Sequence, residues 1–252
     1  MEDTYKVIVV EDEERILNNI IKKIHQANMG FKVIGKAQNG KQALSLVDEL
    51  GPDVVFTDIK MPIMDGLELL ENLYFNYPYI KTVIISGYAE FEYAQKAILY
   101  NVKNYLLKPI EMEELIKTLN GLKISIDTER KIIREKFSAS EDLQNPKDIV
   151  YIIREYIKEH YTEEINFNFI AESFHYSSSY LSRVFTQYIG INPSRYLIDL
   201  RINRAKYLLK NYKELSIKQI SEAIGYPDQS YFSRLFKRIT GKTPIEYREE
   251  IL

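Results

Sequence analysis

A pattern of ten residues is written twice near the C-terminal end of this chain. Ile170, Glu172 and Tyr176 recur fifty positions later as Ile220, Glu222 and Tyr226. After one inserted residue, Tyr180, Ser182, Arg183, Phe185, Gly190, Pro193 and Tyr196 recur as Tyr231, Ser233, Arg234, Phe236, Gly241, Pro244 and Tyr247. Ten matches in order, with a single insertion in a turn, restrict the fold severely. The region must build one supersecondary unit twice.

Everything from Asp148 onward reads as helix. Val150–Tyr161 is amphipathic. Leu181, Val184, Phe185 and Tyr188 recur at helical spacing and are expected to face a core. Phe232, Leu235, Phe236 and Ile239 do the same in the second copy. Asn166 and Ser216 occupy equivalent places and are expected to N-cap the helix that follows. His175 and Gly225 stand at equivalent helix ends, where a positive φ suits Gly best and is tolerated by His. Pro193 opens a long helix, to about Lys210, that joins the copies. Each copy is thus a helix-turn-helix.

The faces opposite the apolar stripes carry Ser179, Ser182, Arg183 and Thr186 in the first copy. The second copy has Gln229, Ser230, Ser233, Arg234 and Lys237 there. Arg can bind guanine bidentately and Gln can bind adenine. Ser and Lys can hold phosphates, which positions without specifying sequence. A solvated polar face is the bland alternative, but the same Arg in both copies favours DNA. Two such units suit successive major-groove segments, since one duplex turn is roughly 34 Å.

The first half alternates strand and helix patterns. Val7–Val10, Phe31–Ile34, Asp53–Phe56, Thr82–Ile85 and Asn104–Leu107 are apolar runs of the kind buried on both faces of a sheet. Helical stretches follow each of them: Glu13–Gln26, Lys41–Glu49, Gly66–Asn76, Phe91–Tyr100 and Glu111–Leu122. Five alternations predict a parallel, doubly wound sheet of flavodoxin-like type, with ligands at the carboxyl ends of the strands. Glu11 and Asp12 follow the first strand, and Asp58 ends the third. Such carboxylates would repel one another, and a bound Mg²⁺ would resolve this, because it takes oxygen ligands and keeps waters. Ser86 ends the fourth strand and Lys108 the fifth. A hydroxyl and an ammonium beside a carboxylate–metal cluster suit phosphoryl transfer. A lone Asp at a strand end is usually a cap, and a lone Lys-Pro usually a loop; their joint occurrence in this order points to a site.

These residues carry a resemblance. Residues 1–126 resemble the receiver domain of bacterial two-component response regulators. The motifs are Val9-Val10-Glu11-Asp12-Glu13, Phe56-Thr57-Asp58-Ile59-Lys60-Met61-Pro62 with Asp65-Gly66, Ile85-Ser86-Gly87 and Tyr105-Leu106-Leu107-Lys108-Pro109. The resemblance implies that Asp58 accepts a phosphoryl group from a histidine kinase. It implies that Glu11, Asp12, Asp58 and the backbone carbonyl of Lys60 hold Mg²⁺. Ser86 and Lys108 would contact the phosphoryl group, and Tyr105 would be the switch aromatic. Glu11 stands where Asp is common. Residues 148–252 resemble the DNA-binding domain of AraC-type regulators, most strongly over Ile220–Tyr226, Ser230–Lys237 and Gly241–Pro244. The combination is similar to response regulators of low-GC bacteria, many of which act beside carbohydrate-uptake genes. It implies promoter DNA as partner and RNA polymerase as a further one; a homodimer on phosphorylation is expected instead from the modest charge of the two units, since paired sites add avidity.

Composition narrows the alternatives. With no cysteine, disulfides, thiolate zinc sites and thiol catalysis are excluded. No apolar run approaches the ~18 residues of a membrane helix, and Met1–Thr4 is acidic and lacks a signal-peptide pattern. A cytoplasmic, non-membrane protein is expected. Residues 1–126 carry 14 Lys+Arg against 18 Asp+Glu, and residues 148–252 carry 15 against 13. A surplus of two positive charges is small for a DNA binder, so clustering or pairing of chains must supply affinity. Residues 127–147, with Ser138-Ala139-Ser140 and Pro146, read as a partly helical linker. Leu119, Leu122, Ile126, Ile133 and Phe137 approximate a heptad seam that Glu129 breaks, which leaves a dimerising coiled coil or a solvated helix. An enzyme reading, a phosphatase of the haloacid dehalogenase type with Asp58 as nucleophile, needs a second acid two residues on. Lys60 stands there, so the chain is read as a non-enzyme. An RNA-binding output lacks an aromatic stacking sheet.

Overall fold

A computed structural model describes residues 4–87, 91–137 and 145–250. In the first half, β1 (Tyr5–Val10), α1 (Glu14–Gln26), β2 (Phe31–Ala37), α2 (Gly40–Leu50) and β3 (Val54–Thr57) are followed by α3 (Gly66–Asn76), β4 (Lys81–Ser86), α4 (Phe91–Leu99), β5 (Asn104–Leu107) and α5 (Met112–Phe137). The strands form one parallel sheet in the order β2-β1-β3-β4-β5. β3 and β4 are buried along their whole lengths, as their apolar runs require when helices cover both faces. Chain direction in the strand order reverses between β1 and β3, and the carboxyl ends of those two strands make the crevice where ligands sit in such sheets.

The second half is helical: α6 (Pro146–His160), α7 (Phe167–Ser173), α8 (Ser178–Ile189), α9 (Pro193–Asn211), α10 (Ile217–Ala223), α11 (Gln229–Thr240) and α12 (Pro244–Glu250). Local chemistry sets the ends. Asn192 caps α9 by accepting from the Arg195 amide, with Pro193 in its first turn. Ser216 and Gln219 form a reciprocal capping box on α10. The repeat is realised in space. His175 and Gly225 both have positive φ, as do Gly190 and Gly241. Tyr176 meets Tyr180 at 4.8 Å, and Tyr226 meets Tyr231 at 5.0 Å. Phe185 meets Tyr196 at 5.8 Å, and Phe236 meets Tyr247 at 5.3 Å.

The chain divides into two compact units, residues 1–142 with 168–180, and residues 143–167 with 181–252. In the second unit Arg201 is buried and donates to the carbonyls of Tyr161 and Glu163 at 2.5 and 2.7 Å. Its guanidinium lies 4.7 Å from the Tyr226 ring centroid. Gly225 is required twice over there: φ is +85°, and a Cβ would fall 2.5 Å from the Thr162 carbonyl oxygen.

Two expectations need correction. The seam Leu119, Leu122, Ile126, Ile133 and Phe137 is neither solvated nor free for a second chain, because all five are buried within their own chain. α5 simply continues to Phe137, and its apolar stripe packs internally, with Phe137 and Phe174 rings 5.3 Å apart. The Ser138-Ala139-Ser140 part of the expected linker lies outside the described residues. Tyr188 is 42% exposed rather than core-facing. It sits in the last turn of α8, where the stripe runs past its packing partners.

Candidate functional site

Backbone ladders bring the acidic residues together. Asp58 donates its amide to the Val10 carbonyl at 2.9 Å, which places it beside Glu11 at the ends of β3 and β1. Lys108 donates its amide to the Ser86 carbonyl at 2.8 Å. The Lys108–Pro109 peptide is cis. Carboxylate oxygens of Glu11, Asp12 and Asp58 all lie within 4.8 Å of one another. Lys108 Nζ reaches Glu11 Oε2 at 2.6 Å and Asp58 Oδ2 at 2.7 Å. The other Asp58 oxygen accepts from the Ile59 amide at 2.6 Å. Glu11 and Ser86 are fully buried, Asp58 nearly so, and Asp12 is exposed.

Burial raises the Glu11 carboxyl above its ordinary range, against the opposing pull of Lys108. Burial would lower the Lys108 ammonium, but its bonds to Asp58 and Glu11 outweigh that and hold it raised. One ammonium among three carboxylates leaves the pocket net negative. An all-oxygen donor set with one exposed member fits a hard divalent cation that keeps waters. An open cleft of about 530 Å³, lined by Asp12, Lys60, Met61, Pro62 and Tyr93 among others, adjoins the pocket. The Lys60 side chain is exposed, with Nζ 5.9 Å from the Tyr93 ring centroid. Tyr105 packs against the cluster of Ile59, Leu67, Leu70, Ile84 and Ala97. In the sequence Gly66 stands out only as part of the Asp65-Gly66 motif. A Cβ there would fall 1.9 Å from the Asp58 carbonyl oxygen, so only glycine lets α3 close this near the site.

The helical heads place their polar faces unequally. Arg183 and Thr186 on α8 are exposed, while Ser179 and Ser182 are half-buried. The Thr186 hydroxyl donates back to the Ser182 carbonyl at 2.8 Å. On α11, Gln229, Ser230 and Lys237 are exposed, and Ser233 is half-buried. Arg234 is half-buried too, with Nε and Nη2 shielded from solvent and lacking a hydrogen-bond partner among the described residues. Sequence reasoning missed Asp228, whose carboxylate accepts from the Ser230 and Tyr231 amides and caps α11. Its position before Gln229 was the available signal. It also missed an ionic cluster in which buried Asp53 and Arg130 meet half-buried Glu172.

Comparison with known proteins gives a consistent picture. Residues 7–120 match the family model described as response regulator receiver domain, and residues 170–250 match a helix-turn-helix domain model. The chain is 26% identical to the uncharacterized transcriptional regulatory protein YesN of Bacillus subtilis, over 98% of each chain. It is 28% identical to the transcriptional regulatory protein HptR of Staphylococcus aureus, over 96% of this chain and 98% of that one. Among solved structures, the receiver domain of AraT, a response regulator from Geobacillus stearothermophilus, is 35% identical. It covers 51% of this chain and is itself covered to 99%, with a TM-score of 0.48.

Proposed function

Because the chain belongs to the response regulators that pair a receiver domain with a helix-turn-helix output, we propose that it is a transcription regulator switched by phosphorylation of Asp58. The observation that carries this is the convergence of Glu11, Asp12, Asp58 and Lys108 at the strand ends, in a chain whose other half holds a duplicated helix-turn-helix. An Asp58 carboxylate oxygen bonds to the phosphorus of a phosphohistidine on a kinase, as the phosphorus–nitrogen bond breaks and the imidazole leaves. A Mg²⁺ held by Glu11, Asp12, Asp58 and the Lys60 carbonyl would supply neutralisation of the phosphoryl oxygens. Lys108 then turns its ammonium to a phosphoryl oxygen, Ser86 donates its hydroxyl to another, and Tyr105 fills the space that Ser86 leaves.

We assign residues 1–126 to the receiver, 127–147 to the connection and 148–252 to DNA binding. Ser179, Ser182, Arg183, Thr186, Gln229, Ser230, Ser233, Arg234 and Lys237 face DNA in this reading. The small surplus of positive charge in 148–252 favours a phosphorylated homodimer, whose paired sites add avidity. The protein acts in the cytoplasm, where promoter DNA and RNA polymerase are, and it is not an enzyme, since Lys60 replaces the acid that turnover would need.

The test is recovery of genomic fragments by the full-length protein, with and without beryllofluoride and Mg²⁺. Retrieval of paired sites only with the analogue, and its loss in Asp58→Asn, is the expected result. Equal retrieval in every case would refute control through Asp58.

A further inference from the structure

One face of α7 is treated differently from the same face of α10, although the two are equivalent helices of the repeat. Lys218, Gln219 and Glu222 of α10 are all exposed. Their counterparts Asn168 and Phe169 are 1% and 2% exposed, and Glu172 is half-buried. The substitutions suit the burial: an amide and a phenyl ring replace two long polar chains. Asn168 Nδ2 donates to the carbonyls of Gly51 and Pro52 at 3.3 and 3.0 Å, in the turn before β3. Glu172 pairs with Lys6 of β1 at 3.6 Å and with Arg130 of α5 at 3.3 Å. The Arg130 guanidinium lies 5.1 Å from the Phe169 ring centroid and 5.2 Å from that of Tyr5, and pairs with Asp53 at 3.2 Å. These contacts lie within the compact unit that also contains the sheet.

The contacts sit at the amino ends of β1 and β3, opposite the acidic pocket. α5 connects the two places. It starts four residues after Lys108, carries Arg130 and Phe137, and spans 26 residues, about 39 Å at helical rise. A shift near Tyr105 and Lys108 that moves α5 therefore reaches Arg130 directly. Reading two successive grooves needs both heads in fixed relation. α7, packed within the unit that contains the sheet, carries a constraint on its outer face, where the same face of α10 is exposed.

We propose that the receiver, with the end of α5 that follows it, restrains the first helix-turn-helix copy by capturing the outer face of α7 on Gly51, Pro52, Lys6 and Arg130, so that release of α7 raises DNA affinity. Coupling of release to the phosphoryl group rests on the reading of Asp58 given above.

The test uses the full chain. Amide hydrogen exchange is followed in α7, with α10 as internal control, in wild type, Asn168→Ala and Lys6→Glu. Binding is measured to the duplex that the beryllofluoride-treated protein retrieves from genomic fragments. Both variants are expected to speed exchange in α7 but not in α10, and to raise affinity without the analogue about tenfold, which is about 1.4 kcal/mol. Lys6→Glu adds negative charge, so a rise there opposes its direct effect on DNA. Variants that exchange and bind like wild type overturn the restraint, whatever the analogue does. If the analogue leaves wild type unchanged while Asn168→Ala still frees α7, the restraint stands and the role of Asp58 falls.

Discussion

The two helix-turn-helix copies share ten residues and differ in what those residues are used for. The aromatic members do the same work twice. Phe185–Tyr196 and Phe236–Tyr247 are edge-on pairs at nearly the same separation, and Tyr176–Tyr180 and Tyr226–Tyr231 match likewise. The repeated polar residues diverge. Glu172 is paired with Lys6 of β1 and Arg130 of α5, whereas Glu222 makes a loose exposed pair with Lys218 at 4.0 Å. Arg183 is exposed, and Arg234 is partly shielded. Repetition in sequence therefore marks the scaffold. What each head is available for depends on residues outside the repeat.

Equivalence of the scaffold is the easiest part to break. Phe185 and Phe236 are both fully buried. Truncating either to alanine should cost about 3–5 kcal/mol, and the two losses should agree within about 1 kcal/mol. Chemical denaturation of the two variants measures this. A loss confined to one copy would mean that the heads do not share a packing plan.

Asp53 offers a smaller effect that should touch only the surroundings of the first copy. Burial pushes its carboxyl up to about 6 from the ordinary 3.8, against the pull of Arg130 and the Lys6 amide and charge. A carboxyl that holds its proton more tightly when folded stabilises the fold most below the unfolded value. That contribution is lost as the pH rises through about 6. The stability of wild type relative to Asp53→Asn should thus fall by on the order of 2–3 kcal/mol between pH 4 and pH 7. The transition of the sheet-containing unit should carry the change. A flat difference across this range would mean that Arg130 and Lys6 fully compensate the burial.

The same region shows where sequence reasoning stops. The strands were legible as apolar runs, with β5 and α3 bounded to the residue. The acidic pocket was legible because strand order alone brings the ends of β1, β3, β4 and β5 to one edge. α5 was not. Glu129 reads as an interruption of an apolar seam, yet it pairs with distant Lys81 at 2.6 Å, and its neighbour Arg130 pairs with Asp53 at 3.2 Å. Charges that look solvated in a linear reading are buried when the partner lies 77 residues away. A cation between Ile126 and Ile133 was the one available signal. The split fate of Glu172 and Glu222 had one local signal, the apolar Phe169 standing where the second copy has Gln219.

The smallest effect sharpens the comparison most. α10 is started by its own side chains: Ser216 Oγ accepts from the Gln219 amide at 3.2 Å, and Gln219 Oε1 accepts from the Ser216 amide at 2.8 Å. Near the start of α7, Asn168 donates to the Gly51 and Pro52 carbonyls. Ser216→Ala removes one half of the local box and should cost about 1 kcal/mol. Amides in the first turn of α10 should then exchange about fivefold faster, with α7 unchanged. Equal loosening of both helices would show that the two starts are coupled through the body of the output domain. The contrast between the capping box of α10 and the hold of Asn168 on α7 would then carry no independence of the two helices.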